Sequence, residues 1–157
     1  MVVWFPDGTF RPNAAVTRAQ FVAMLVKADG LTPVASGQTP FSDVPPSQWY
    51  APYVAAAYQA GLVAGLPNGT FDPNGELTRA QMAVLLAKAA GGSATASLSR
   101  FSDAAAIPTW AKTAVETVVA DGLMVGFPGG TFGPDPTATR ADSAAVLAAY
   151  LKYAGKE

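Results

Sequence analysis

The sequence predicts an all-α protein built from helix-loop-helix repeats. Three observations lead to this prediction. Half of the 157 residues are hydrophobic, a short helix-start signal occurs three times, and the residues after each signal follow helical spacing. The signal recurs at a constant interval of 61 residues (78 − 17 and 139 − 78). The helices are therefore expected to belong to related units rather than to unrelated segments.

Three helices are expected to begin after Thr17, Thr78 and Thr139. In Thr-x-x-Gln, the hydroxyl accepts from an amide of the first turn and the Gln side chain bonds back to the cap residue, which is a capping box. The third copy has Asp142 instead of Gln, and this shorter side chain is expected to close the box less well. The i, i+3, i+4, i+7 positions that follow are Phe21, Met24, Leu25 and Ala28; Met82, Leu85, Leu86 and Ala89; and Ser143, Val146, Leu147 and Tyr150.

A loop rich in glycine and proline precedes each capped helix. It reads PDGTFRPN, PNGTFDPN and PGGTFGPD in the three copies. Its phenylalanines, Phe10, Phe71 and Phe132, keep the interval of the threonines. We expect these rings to fill the core.

A second motif occurs only twice. Phe-Ser-Asp at 41–43 precedes Trp49, Phe-Ser-Asp at 101–103 precedes Trp110, and helical spacing follows each tryptophan. A full unit is therefore helix, turn and capped helix, with connecting loops near 31–40 and 91–100. The first copy lacks the motif and its first helix, so the predicted units are residues 1–30, 41–90 and 101–154, together one domain.

The composition excludes several functional classes. The chain has no histidine and no cysteine, which removes imidazole and thiolate metal sites, Ser-His-Asp catalysis and disulfides. A net charge of -1 argues against nucleic acid as a partner. The longest apolar run, 144–151, is too short to span a membrane. No acid pair suggests acid/base catalysis, so we expect neither an enzyme nor a cofactor.

Calcium is a further alternative for the Asp/Asn-Gly-Thr loops. An EF-hand loop needs several acids at alternating positions and a terminal glutamate. Only Asp7 and Asp72 lie near these loops. No metal site is therefore expected.

The order of these motifs resembles the S-layer homology (SLH) repeat over essentially the whole chain. The residues that carry the resemblance are FSDV(x4)W followed by AGLVAGLPNGTFDPNGELTRAQMAVLLAKA. The resemblance implies three repeats in a pseudo-threefold arrangement around a central helical bundle, with grooves between neighbours. It also implies an extracellular location, at the bacterial cell surface or in the S-layer, and attachment to secondary cell-wall polysaccharide. The group recognised in many family members is a pyruvylated N-acetylmannosamine, which carries a carboxylate.

The arginine after each capping threonine is the main candidate for binding that carboxylate. It stands at the first helical position, where the helix dipole disfavours a cation by about 0.3–1 kcal/mol. On the SLH interpretation Arg18, Arg79 and Arg140 bind the anion at the helix N-terminus. The alternative is a salt bridge to a nearby acid such as Asp72, Glu76 or Asp135. Because the first copy is incomplete, a groove that uses Arg79 with copies two and three is favoured.

Six further residues are expected to contribute to the grooves: Asp43, Asp103, Trp49, Trp110, Gly65 and Gly126. The resemblance implies that the carboxylates accept sugar hydroxyls, that the indoles face a pyranose ring, and that the glycines let the backbone approach the sugar. The alternatives are that the carboxylates cap a turn or a helix and that the indoles pack in the core.

A protein-protein interaction module is the second functional hypothesis. The missing first helix is expected to leave apolar surface uncovered, which favours a homo-oligomer or a domain swap. Trp4 stands where the other copies have Gly65 and Gly126, and it is a candidate to fill part of that gap. Self-association without glycan binding would support this hypothesis.

Overall fold

A computed structural model describes residues 10–66 and 68–155. In this part of the chain the secondary structure is helical, with isolated β-bridges and no strand. This confirms the all-α prediction. The expectations for Trp4 and Asp7 lie outside the described residues, as does the start of the predicted unit 1–30. The helices are α1 (Arg18–Ala28), α2 (Ala51–Gln59), α3 (Arg79–Ala90), α4 (Thr109–Ala120) and α5 (Arg140–Tyr153), with a 3-10 turn at Ala104–Ala106.

The three predicted helix starts are confirmed. The hydroxyls of Thr17, Thr78 and Thr139 each accept from the amide three residues later, at 3.0–3.1 Å. The expectation for Asp142 was wrong, because its carboxylate accepts from the Thr139 amide at 3.0 Å and closes the box as Gln20 does. Thr139 has φ −93° where Thr17 has −82°. Both angles lie in the extended region that a capping residue adopts.

A closed ring of main-chain hydrogen bonds joins the three copies. The Val16 amide donates to the Ala138 carbonyl (2.9 Å), the Ala138 amide to Leu77 (2.7 Å), and the Leu77 amide to Val16 (3.0 Å). These residues immediately precede the capping threonines, and their side chains are fully buried. Each copy is thereby bonded to both of the others. The pseudo-threefold arrangement of whole repeats stays a prediction.

The helices pack across the boundaries between units. The capped helix of one unit contacts the first helix of the next, so α1 packs on α2 and α3 on α4, while α5 contacts α1 and α3. Phe71 and Phe132 are fully buried, as predicted, and Phe10 is half-buried. None of the described helices has the length and apolar character needed to cross a membrane.

Candidate functional site

Each of the three arginines is bonded to the glycine-rich loop of another copy. The Nε atom of Arg18 donates to the Phe71 carbonyl (2.9 Å), that of Arg79 to Phe132 (3.1 Å), and that of Arg140 to Phe10 (2.7 Å). Each guanidinium also lies 4.9–5.1 Å from the centre of the same phenylalanine ring. This contact across a unit boundary gives a structural reason for a cation at the first helical position.

The salt-bridge alternative does not describe the bonds of Arg18 and Arg79. Their hydrogen bonds go to main-chain carbonyls of the neighbouring copy rather than to carboxylates. Burial lowers the pKa of Arg18, while the charges of Asp72 and Asp43 raise it. The two acids therefore influence the pKa of Arg18 through their charge and not through a hydrogen bond. Arg18 stays protonated, since an arginine keeps its proton at any physiological pH.

The first amides of the capped helices are already bonded. In α1 the amide of Arg18 donates to the Gly75 carbonyl (2.9 Å) and that of Ala19 to the Pro73 carbonyl (3.0 Å). The amide of the following residue donates to the hydroxyl of the capping threonine. Equivalent bonds occur at the start of α3 and α5. The loop of another copy thus takes the donors that an anion would use at a helix N-terminus. Any anion at this site has to bind side chains instead.

The aspartates of the Phe-Ser-Asp motif hold the loop of their own unit. Asp43 accepts from the amides of Phe71 and Asp72, both at 2.8 Å. Asp103 accepts from the amides of Phe132 (2.8 Å) and Gly133 (2.9 Å). The structure therefore shows the turn-capping alternative. A role of either carboxylate in ligand binding stays a prediction.

The environment of Asp103 favours its charged form. Desolvation alone would raise its pKa, but the two main-chain amides and the charge of Arg79 outweigh that effect, so the pKa lies below its ordinary value. The loop turns sharply at this point, since Gly133 has φ 74° and Asp72, its counterpart, has φ 62°. This left-handed turn points consecutive amides at one carboxylate.

The two turn glycines make room for an aromatic ring. A Cβ atom at Gly65 would lie 2.3 Å from Cε1 of Phe41, and one at Gly126 would lie 2.5 Å from Cε1 of Phe101. Both rings belong to the Phe-Ser-Asp motif of the same unit. The close approach that the sequence indicated is therefore made by a phenylalanine. A sugar contact at these glycines stays a prediction.

Both tryptophans lie on the surface. The exposed fractions of Trp49 and Trp110 are 57% and 62%, which excludes the core-packing alternative. Trp49 packs edge-on against Tyr50, with ring centres 5.5 Å apart. Exposed indoles supply flat apolar surface with a polar edge, which suits a binding surface.

The widest of three described cavities, about 590 Å³ in volume, is here called the Arg18 groove. All three copies contribute to it, which places Arg18, Gly65 and Trp110 together. The Nη atoms of Arg18 make no hydrogen bond to any described residue. The groove thus combines an arginine with open donors, an exposed indole and an apolar wall. Its lining is Arg18, the segment 62–66, Gln81, Val84, Leu85 and Lys88 of α3, and Trp110.

The corresponding cavity one interval later, the Arg79 groove, has a volume of about 210 Å³. Arg79 is only 5% exposed, and its Nη2 atom donates a second hydrogen bond, to the Val125 carbonyl (2.9 Å). The ring of Phe127 lies 4.6 Å from its guanidinium. Among its described lining residues there is no tryptophan: these are Arg79, the segment 122–125, Asp142, Ala145, Val146 and Ala149.

A pair of substitutions between copies accompanies the aromatic ring that lies against Arg79. Phe127 replaces Leu66, and Gly133 replaces Asp72. A Cβ at Gly133 would lie 2.4 Å from the Phe127 ring, so the ring would have to shift if position 133 had a side chain. The sequence prediction that favoured the Arg79 groove missed this pair, although a comparison of the copies contains the signal. The Arg18 groove is the larger of the two.

The third cavity lies beside α5. It measures about 230 Å³ and is lined mainly by apolar side chains of α5 with Met24 and Phe10. Within residues 10–66 and 68–155, no group of three or more metal-ligating side chains comes together.

Comparison with known proteins agrees with the sequence pattern. The S-layer homology domain model matches residues 5–22, 40–83 and 100–144. The chain is 37% identical over 148 residues to an endoglucanase of Bacillus sp. (strain KSM-635), covering 91% of this chain and 15% of that protein.

Two relatives carry names that refer to the cell surface. The S-layer protein sap of Bacillus anthracis is 33% identical, with 96% of this chain and 18% of that protein covered. The cellulosome-anchoring protein of Acetivibrio thermocellus is 29% identical, with 91% and 33% covered. This chain therefore spans a third or less of these relatives. Because the family model matches more than half of the chain, in three successive segments, the chain belongs to the S-layer homology domain family.

Proposed function

We propose that this chain is a non-catalytic module that anchors a protein to the secondary cell-wall polysaccharide outside a bacterial cell. Its relatives include an S-layer protein, a cellulosome-anchoring protein and an endoglucanase, each much longer than this chain. A segment shared by proteins with such different names fits an attachment module better than a catalytic domain. The polysaccharide is the expected partner, and pyruvylated N-acetylmannosamine is the expected recognised group.

The observation that carries the proposal is the meeting of Arg18 and Trp110 in one groove. The open Nη atoms of Arg18 suit a carboxylate, because a guanidinium forms two parallel charge-assisted hydrogen bonds with it. The bond from Nε to the Phe71 carbonyl fixes the guanidinium before the ligand arrives. Binding therefore costs little additional side-chain entropy. The indole of Trp110 supplies the apolar wall for the sugar ring.

The other predicted site residues support this groove or a related one. Arg79 and Arg140 hold neighbouring copies together, and Asp43 positions the loop whose carbonyl fixes Arg18. Trp49 stands one interval before Trp110. A role of Trp49 in binding sugar stays a prediction.

Calorimetric titration tests the proposal. The probes are the methyl glycoside of pyruvylated N-acetylmannosamine and the same sugar without pyruvate. Only the pyruvylated sugar is expected to bind. Arg18→Gln is expected to weaken binding about 10- to 100-fold, the equivalent of one hydrogen-bonded charge. Arg100→Gln removes the same charge from an exposed position outside the groove and is expected to leave the affinity unchanged. Equal binding of the two sugars would contradict the proposal.

Protein-protein interaction remains the second candidate function, and one observation favours it. The apolar cavity beside α5 leaves Ala148 and part of Leu151 in contact with solvent. Self-association through this surface would appear as a concentration-dependent mass in light scattering. A concentration-independent monomer that binds the pyruvylated sugar would favour the anchoring module alone.

A further inference from the structure

The Arg18 groove contains a second cation that the proposed function does not use. Lys88 lines the groove from α3, is exposed, and stands seven residues after Gln81, another lining residue. At 1.5 Å per residue, this places Lys88 about 10 Å further along the helix than Gln81. The groove thus has cationic side chains from two separate elements, α1 and α3.

Among the described residues that line this groove there is no carboxylate, although the charges of Asp72 and Asp43 reach Arg18 from outside the lining. The Arg79 groove differs at both corresponding positions, since Asp142 replaces Gln81 and Ala149 replaces Lys88. One arginine and one aspartate line it, and they compensate each other. The described lining of the Arg18 groove therefore has two cations and no acid, whereas that of the Arg79 groove has one cation and one acid.

We infer that Lys88 is a specificity-determining residue that binds a second anionic group, further along the same glycan chain. This inference rests on the proposed function, because it assumes that the first anionic group binds Arg18. A groove with one cation accepts any glycan that carries the first group. With the second cation it prefers glycans in which acidic groups recur at a spacing the groove can span.

The expected size of the effect is modest. Lys88 is exposed, and an ion pair in that environment contributes up to about a fivefold gain in affinity. The gain should fall as salt is added, because exposed charges are screened. A sugar with a single carboxylate, bound at Arg18, should gain little.

Two synthetic probes test this inference by calorimetry at low and high salt. One is the pyruvylated N-acetylmannosamine glycoside, with one carboxylate. The other is an oligosaccharide that carries two such pyruvylated residues. Two equivalent groups alone give about a twofold preference by statistics, so the wild type has to exceed that ratio. Lys88→Gln is expected to reduce the ratio to about two, with a smaller effect on the affinity for the single-carboxylate sugar.

Two further variants serve as controls. Lys152→Gln removes an exposed lysine from the last turn of α5, outside the groove, and should keep the wild-type ratio. Lys88→Arg keeps the charge and should also keep the ratio.

The outcomes separate this inference from the proposed function. A ratio that depends on Lys88 and on salt supports the inference. Binding of the single-carboxylate sugar with a ratio unaffected by Lys88→Gln overturns the inference and leaves the proposed function standing. Failure of both probes to bind the wild type overturns both.

Discussion

Replacing Arg79 by methionine should mainly reduce stability, whereas replacing Arg18 by methionine should mainly reduce sugar binding. Both arginines follow a capping threonine, but their surroundings differ. Arg79 is buried, donates to the carbonyls of Phe132 and Val125, and contacts the rings of Phe127 and Phe132. The side chain of Arg18 is half-buried and, among the described residues, donates only to the Phe71 carbonyl and contacts only that ring. Methionine keeps much of the apolar volume and removes the charge and the donors.

The two costs can be estimated from these contacts. A hydrogen bond from a charged group contributes about 1.5–3 kcal/mol, and a cation-π contact about 0.5–1 kcal/mol. Burial, which lowers the pKa of Arg79, offsets part of its gain because a cation has been removed from water. We expect Arg79→Met to cost about 3 kcal/mol and Arg18→Met about 1–2 kcal/mol, after allowing for solvent screening at Arg18.

Urea unfolding followed by circular dichroism measures both costs, and calorimetry with the pyruvylated sugar measures binding. In a domain of this size 1 kcal/mol corresponds to roughly 2–4 °C in Tm. Arg79→Met should therefore lower the Tm by about 6–12 °C and still bind sugar while folded. Arg18→Met should lower it by less and lose binding. Equal losses of stability in the two variants would refute this reasoning. It would also be refuted if folded Arg79→Met no longer bound the sugar while Arg18→Met still did.

Three further predictions address residues with mixed expectations. Gly126→Ala should cost about 2–3 kcal/mol, because the new Cβ meets Phe101 and the Thr131 carbonyl at 2.5 and 2.7 Å; an unchanged urea midpoint would contradict this. Asp103→Asn should cost about 2 kcal/mol at pH 7, since an amide cannot replace both acceptors. The pKa of Asp103 is lowered from 3.8, so the stabilisation by its carboxylate is complete above that pH and is lost as the pH falls through the folded-state pKa. The difference in free energy of unfolding between the wild type and Asp103→Asn should therefore become smaller in acid. A difference that grows in acid would be evidence against the assignment. Trp110→Ala should leave stability within about 0.5 kcal/mol, since the indole is exposed, and weaken sugar binding; unchanged affinity would remove Trp110 from the site.

Local sequence signals predicted much of the fold. The capping boxes and the helical spacing concern residues three or four positions apart, so the three capped helices could be placed from Thr17, Thr78 and Thr139 alone. The buried loop rings followed from a constant interval and an apolar side chain. These features depend little on how the copies meet.

The sites depended on contacts between distant residues. The Nε of Arg18 bonds a carbonyl 53 residues away, and a main-chain carbonyl leaves no signal in the sequence. The spaces at Gly65 and Gly126 are filled by rings whose positions only the tertiary structure shows. The contact between Phe127 and Arg79 was the exception, because the difference from Leu66 can be seen when the copies are compared.

The ring of main-chain hydrogen bonds has a consequence for cooperativity. In an open solenoid a terminal repeat has one neighbour and can fray alone. Here each copy bonds two others, so opening any one of them breaks two of the three junctions. We therefore expect the chain to unfold in a single transition, although its sequence is repetitive. Closing the ring needs contacts such as that between Arg140 and Phe10, 130 residues apart, which makes folding slow relative to helical proteins whose contacts are local.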